Sequence, residues 1–280
     1  MKDVNHVIVE KNGKLLEIFD SGFSPGPTVV FLHGAGSNAS QFREELERLS
    51  QDFRVVSISM HGHGAQFKDR KFTPEEFRLD KLADDVILCM DLLHQERFHV
   101  VGNSAGGVVG FELVKRFSDR LLSLCTYGTA PKLSFGKLAI RLISGLDRLM
   151  ISSIPDAYLG LVARNCSKQA LVQEKVKILL LESRHAIPYI RSQIGNYDYL
   201  DVIRTMKVPY LLMECEFDSE INKTLAEMRQ AVQANPCARR VFFEGAGHIA
   251  NLDQPTMFAE LIKAHLNQAD EYCKEMKLAV

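Results

Sequence analysis

The sequence predicts an α/β fold: a mostly parallel sheet flanked by helices, interrupted late in the chain by a purely helical insertion. Three observations predict it. From residue 28 to 127, short apolar runs alternate with segments of helical spacing, the βαβα pattern of a parallel sheet. The alternation stops near Pro131, and 133–198 shows no good strand. It resumes with YLLM at 210–213 and RVFF at 240–243.

The elements follow in order. Residues 6–10 and 14–19 flank Asn12-Gly13, the dipeptide of a two-residue hairpin turn. TVVFL at 28–32 is a continuous apolar run and reads as a buried strand. Over 41–49, Phe42, Leu46 and Leu49 share one helical face, and FRVVS at 53–57 begins the next strand. A helix over 73–93 opens with Thr73-Pro74-Glu75-Glu76: threonine at the N-cap, proline at the first position, glutamate three residues on. HVV at 99–101 is a strand running into Gly102, 106–117 is a helix, and LLSLCTY at 121–127 is a strand.

Within the insertion, Leu138, Leu142, Leu146 and Leu149 recur at spacings of four and three, and Leu171, Val172, Val176, Leu179 and Leu180 do much the same. Several short helices are expected there, broken by Pro155 and Pro188. Two more helices are expected over 224–234 and 256–267.

A 280-residue chain with 46% hydrophobic and 25% charged residues can bury a full core without disulfide or metal staples. The net charge of −1 argues against a nucleic-acid partner, which calls for a basic excess. The six cysteines are scattered and form no CxxC pair, so zinc and dithiol chemistry is not indicated and buried, reduced thiols are expected. The N-terminus has no apolar core of a signal peptide. No apolar run approaches the ~18 residues of a membrane span. A cytoplasmic setting is therefore the expectation; oligomeric state is not legible.

Gly102-Asn103-Ser104-Ala105-Gly106 is a G-x-S-x-G that follows an apolar strand and opens an apolar helix. That context is what a nucleophile elbow needs: a strained strand-to-helix turn that lifts the serine hydroxyl above the sheet. A serine hydroxyl attacks only when a base takes its proton. After the strand at 240–243 comes Glu244-Gly245-Ala246-Gly247-His248, a loop able to bring an imidazole over the sheet edge. The imidazole in turn needs a carboxylate to fix its tautomer. The strand at 210–213 runs into Glu214-Cys215-Glu216-Phe217-Asp218. Asp218 gives the chain order Ser, Asp, His; Glu214 and Glu216, on the same strand end, are its rivals.

An oxyanion hole requires backbone donors. Ala105, just after Ser104, supplies one. His33-Gly34-Ala35-Gly36-Ser37-Asn38 follows the strand TVVFL and supplies the other, with Ala35 the first candidate and Gly36 the second. His33 reads as a structural loop histidine. His61-Gly62-His63 has no neighbouring carboxylate or cysteine cluster and reads as a turn, so no metal is expected.

With these motifs in place, the chain resembles the α/β-hydrolase superfamily, of the lidded type. The resemblance covers nearly the whole chain and rests on HGAGSN, GNSAGG, the Asp218 strand end and GAGHIANLDQP, in that order. It implies a sheet of about eight strands with a helical cap after the sixth. The core would then comprise 1–132 and 199–280, and the cap 133–198. Two departures stand out. Members often carry an aspartate near Ser59 and an arginine near His61, and Cys215 replaces the usual glycine before the acid's turn.

The resemblance implies hydrolysis of an ester, thioester or amide of a small to medium, mainly apolar substrate through an acyl-serine. A serine at the elbow, where an aspartate would be needed, disfavours attack on alkyl carbon. Asn103-Ser104 with Gly106-Gly107 also resembles the elbow of hydrolases that cleave carbon–carbon bonds in ring-fission diketones. A ligand receptor or scaffold on the same fold is the non-enzyme alternative. No P-loop and no strand-linked G-x-G-x-x-G is present, so no cofactor is expected. Residues 133–198 hold nine Lys and Arg against five Asp and Glu, a net +4, leaving −5 elsewhere. Their apolar faces are expected to cover the catalytic cleft. Their cations either give its mouth a positive potential or simply solvate the outer helix faces.

Overall fold

The computed structural model describes residues 4–11, 14–64, 67 and 70–278; the Asn12-Gly13 turn lies outside them. The chain opens with β1 (Asn5–Lys11), β2 (Lys14–Asp20) and β3 (Thr28–Leu32). A 3₁₀ turn at Ala39–Phe42 leads into α1 (Arg43–Leu49), followed by β4 (Arg54–Ser59). A second 3₁₀ turn, Pro74–Phe77, precedes α2 (Leu79–Leu92), β5 (Phe98–Asn103), α3 (Ala105–Phe117) and β6 (Leu121–Tyr127). Then come β7 (Lys132–Ser134), α4 (Lys137–Ser153), α5 (Pro155–Cys166), α6 (Ala170–Glu182), α7 (Ile187–Gln193) and β8 (Asn196–Asp198). The chain closes with α8 (Leu200–Thr205), β9 (Tyr210–Cys215), α9 (Ser219–Asn222), α10 (Ala226–Ala234), β10 (Ala238–Phe243), α11 (Ala250–Asp253) and α12 (Pro255–Leu278).

Eight strands form one sheet in the order β1-β2-β4-β3-β5-β6-β9-β10. The β1–β2 and β2–β4 pairs are antiparallel and the others parallel. Period-two alternation explains why TVVFL is apolar at four consecutive positions. Val30 and Leu32 join one core layer with Leu82 and Val86 of α2 and Val109 and Leu113 of α3. Val29 and Phe31 join the other, with Leu46 of α1 and Phe258 and Ile262 of α12. A strand covered on both faces loses its polar face, as parallel strands do.

Four expectations are corrected. The 73–93 helix is two pieces: the Thr73–Glu76 capping box forms, with the Thr73 N–H donating to Glu76 Oε2 at 2.6 Å, but it caps a 3₁₀ turn. Arg78, extended at ψ 143°, separates that turn from α2. The last helix continues past 267 to Leu278, through a stretch without Gly or Pro. The insertion is not strand-free: β7 and β8 pair antiparallel, with Leu133 opposite Tyr197, and Lys132 Nζ lies 3.1 Å from Asp198 Oδ2. Three-residue strands are too short to show a period, yet they clasp the two ends of the insertion. Finally, Leu138, Leu142, Leu146 and Leu149 do not cover the cleft but are exposed; Ile140 and Ile143 of α4 line the cavity beneath.

Candidate active site

Strand β5 ends at Asn103 and α3 begins at Ala105, so Ser104 alone makes the reversal. Its backbone sits at φ +52°, ψ −117°, a conformation costly for a residue with a Cβ. The turn is held from both sides: the Ser104 N–H donates to the Tyr127 carbonyl at 3.0 Å, and the Ser104 carbonyl accepts from the Gly107 N–H at 3.0 Å. A Cβ at Gly106 would stand 2.2 Å from the Leu32 carbonyl oxygen, so only glycine lets α3 start this close to β3.

Asp218 follows β9 and His248 follows β10, and the two meet: His248 Nδ1 lies 2.8 Å from Asp218 Oδ2. Asp218 is buried, while the imidazole is half-buried. Burial pulls the His248 pKa down, but the charge of Asp218 and its hydrogen bond outweigh that and leave it above the ordinary histidine value. The rival carboxylates are engaged elsewhere. Glu214 accepts from Arg229 and Arg240, and Glu216 accepts from the Gly245 N–H at 2.8 Å.

Ala35 lies in the turn after β3, closed by the Ser37 N–H donating to the Gly34 carbonyl at 3.1 Å. Gly36 takes φ +85°, and a Cβ there would also press 2.8 Å against Ile187. Ala105 opens α3, so its N–H is one that no earlier helical carbonyl can satisfy. Ala35, Ser104, Asp218 and His248 border one cavity of about 540 Å³. Its roof comes from the insertion, through Ile140, Ile143, Val162, Leu179 and Ile194, and Arg191 places a cation on its wall. A larger hollow of about 930 Å³, lined by Arg97, Leu121 and Pro209, sits at the opposite ends of β6 and β9 and contains none of these residues.

His33 is structural. Its Nε2 accepts from the Met60 N–H at 2.9 Å, so its Nδ1 carries the proton and donates to the Gly34 carbonyl at 2.8 Å. Burial pulls its pKa down to about 4, which keeps it neutral. His61 packs edge-on against Phe72 and Phe77. His63 turns its Nδ1 to the carbonyls of Met60 and His61.

Behind the elbow lies a buried polar network that the sequence reading left without a role. Asn103 Nδ2 donates to the His248 carbonyl at 2.9 Å. Gln41 Nε2 bridges Asn103 Oδ1 at 3.3 Å and Asn251 Oδ1 at 3.2 Å. Tyr127 donates to Asn251 Oδ1 at 2.9 Å. The His248 loop is also tied to the insertion. Its N–H donates to the Cys166 carbonyl at 2.8 Å. Asp253 accepts from Ser167 Oγ with one oxygen and from the Gly247 N–H, at 2.7 Å, with the other. Asn103, Asn251 and Asp253 all stand inside the two motifs that carry Ser104 and His248; their position there is the signal that could have found them.

Comparison with known proteins identifies the fold and the family. A family model described as the alpha/beta hydrolase family matches residues 29–261. A pimeloyl-[acyl-carrier protein] methyl ester esterase of Aeromonas hydrophila is 24% identical over 257 residues, covering 86% of this chain and 96% of its own. A 3-oxoadipate enol-lactonase of Acinetobacter baylyi is 22% identical, covering 93% and 97%. Among solved structures, the enol-lactonase from Burkholderia xenovorans LB400 superposes with a TM-score of 0.79 at 22% identity, covering 93% of this chain and all of that one.

Proposed function

The chain belongs to the alpha/beta hydrolase family, and we propose that it is a serine hydrolase cleaving an ester of a small to medium, mainly apolar acid through an acyl-serine intermediate. The observation that carries the proposal is the convergence on one cavity of a serine at a strained turn and a histidine bonded to a buried aspartate. Asp218 accepts the Nδ1–H, which leaves Nε2 with its lone pair as the base for Ser104. As Ser104 Oγ attacks the carbonyl carbon, its proton passes to His248. The imidazolium that forms is stabilised by Asp218, and the oxyanion is received by the N–H groups of Ala35 and Ala105. His248 then protonates the leaving alcohol, and water hydrolyses the acyl-serine by the same route.

Residues 133–198 act in this reading as the cap, whose Ile140, Ile143 and Leu179 hold the acyl group. Relatives named for a methyl ester and for an enol-lactone fit this reading, and relatives named as putative carbamate hydrolases would use the same acyl chemistry on a different leaving group. The test is a series of p-nitrophenyl esters of rising acyl length with wild type and Ser104→Ala. The expected outcome is a kcat/KM that rises with chain length until the cavity is full. Ser104→Ala should lose at least ~10³-fold in kcat with unchanged circular dichroism. Turnover retained in Ser104→Ala would refute the proposal.

A further inference from the structure

The insertion carries far more than its share of the large apolar side chains left in solvent, and four of them form one feature. Leu138, Leu142, Leu146 and Leu149 on α4 are 71%, 64%, 54% and 60% exposed. At ~100° per residue they fall within an arc of about 80°, and Gly145 between them faces open space. Lys137 and Arg141 border one side of this stripe and are exposed. Arg148 follows on the same side, its guanidinium 5.1 Å from the centre of the Tyr189 ring. The acid of α4, Asp147, points inward at 1% side-chain exposure, accepting from the Tyr158 hydroxyl and facing Arg191 at 3.6 Å. The outer surface of α4 therefore shows leucines and cations and no anion.

The exposed leucines and Lys137 do not serve the fold. Lys137 opens the helix, and its first turn holds no acid, so the cation opposes the helix dipole. An exposed leucine stripe costs solubility unless something covers it. We infer that the outer face of α4 docks on an anionic lipid surface. A helix with leucines on one face and cations along its border lies in the headgroup boundary, burying the apolar side chains while the cations meet lipid phosphates. Among the described residues no helix is long and apolar enough to cross a membrane, so the contact is peripheral. Charge decides against a second copy of this chain as the occupant. A two-fold contact on the stripe would offer the exposed Lys137 and Arg141 of each copy no outward-facing acid on the other copy's α4 to pair with. The stripe also runs to the cavity: Phe135 and Ile143, both exposed, line its wall. Docking therefore sets the cavity mouth at the lipid boundary.

The test uses the full-length Ser104→Ala chain, so that binding is read without hydrolysis and stands or falls apart from the proposed chemistry. It is floated with phosphatidylcholine vesicles and with vesicles holding about 30 mol% phosphatidylglycerol. Flotation is expected with the anionic vesicles and not with the neutral ones, and it should weaken in about 0.5 M salt. Lys137→Glu/Arg141→Glu should weaken binding roughly tenfold or more. Leu142→Glu/Leu146→Glu should do the same at low salt, with an unchanged circular dichroism spectrum because both positions are exposed. Absence of flotation with anionic vesicles at low salt would overturn the inference, as would wild-type binding by the leucine variant. A dimer in sedimentation that the leucine variant dissociates would assign the stripe to a second copy and overturn it as well.

Discussion

His248 sits between two opposing influences, burial and Asp218, and the balance sets the pH at which it can accept a proton. Because the aspartate outweighs burial, the imidazole holds its proton to a higher pH than an ordinary histidine. Only the neutral ring is a base. The kcat/KM profile is therefore expected to rise with a midpoint above the reference value of ~6.5. Asp218→Asn removes the charge and leaves the burial, so the midpoint should move down while the rate falls because the tautomer is no longer fixed. A stopped-assay pH profile of both proteins checks this. A midpoint that stays in place or moves up in Asp218→Asn would show that another group governs His248. Glu214→Gln and Glu216→Gln should leave the midpoint unchanged, since Arg229, Arg240 and the Gly245 N–H already occupy those carboxylates.

At the scale of elements, the His248 loop is a bridge between the sheet and the helical insertion. Asp253 on α11 fixes it through two acceptors, one toward Gly247 and one toward Ser167 at the α5–α6 junction. Asp253→Asn turns one acceptor into a donor and leaves either the Gly247 N–H or the Ser167 O–H proton without its acceptor, which costs about 1–3 kcal/mol. The expected result is a fall in kcat with KM nearly unchanged and the pH midpoint kept, because the ring is misplaced but its partner Asp218 is intact. A lost fold without a kinetic effect in the remaining folded protein would assign Asp253 to stability alone.

This bridge was only half legible in the sequence. The motif containing His248 and Asp253 stood out, but its partners Cys166 and Ser167 come from across the insertion, and no local pattern announces such a contact. The same limit explains α4. Leucine spacing shows that a helix has a face, not which way that face turns. Here Ser144 and Asp147, polar residues, are the buried ones, because Ser144 donates to the Pro188 carbonyl and Asp147 meets Tyr158. By contrast β3 was plain, since a strand covered on both faces is continuously apolar, and β5 was plain from its apolar Val100-Val101 leading into the elbow. Ser104 was plain because its turn demands small neighbours at fixed positions.

For the molecule as a whole, the polar network behind the elbow ends in a group that links stability to pH. Glu45 is fully buried. Burial pushes its pKa up to about 8, opposed by its hydrogen bonds, including the one from Asn251. The unfolded chain releases this proton near the ordinary carboxylate value, so the folded state binds more protons between roughly pH 4.5 and 8. Stability then falls as pH rises through that window, by up to roughly 1.4 kcal/mol per pH unit from this group, and the fall ends above the folded pKa. Glu45→Gln copies the neutral form and removes the dependence. Thermal melts should show the variant more stable than wild type at pH 8.5 and the difference closing toward pH 4. A difference independent of pH would mean that Glu45 is not the titrating group.

The central claim is that Ser104 is the nucleophile of a working triad, and covalent capture tests it most directly. A fluorophosphonate probe reacts with a serine only when a base activates it within an oxyanion hole. Intact mass and peptide mapping should find one adduct per chain, on Ser104. It should be absent from Ser104→Ala and slowed by at least ~10³-fold in His248→Ala. No adduct on the folded wild-type protein, or an adduct on a different residue that Ser104→Ala leaves in place, would contradict the account.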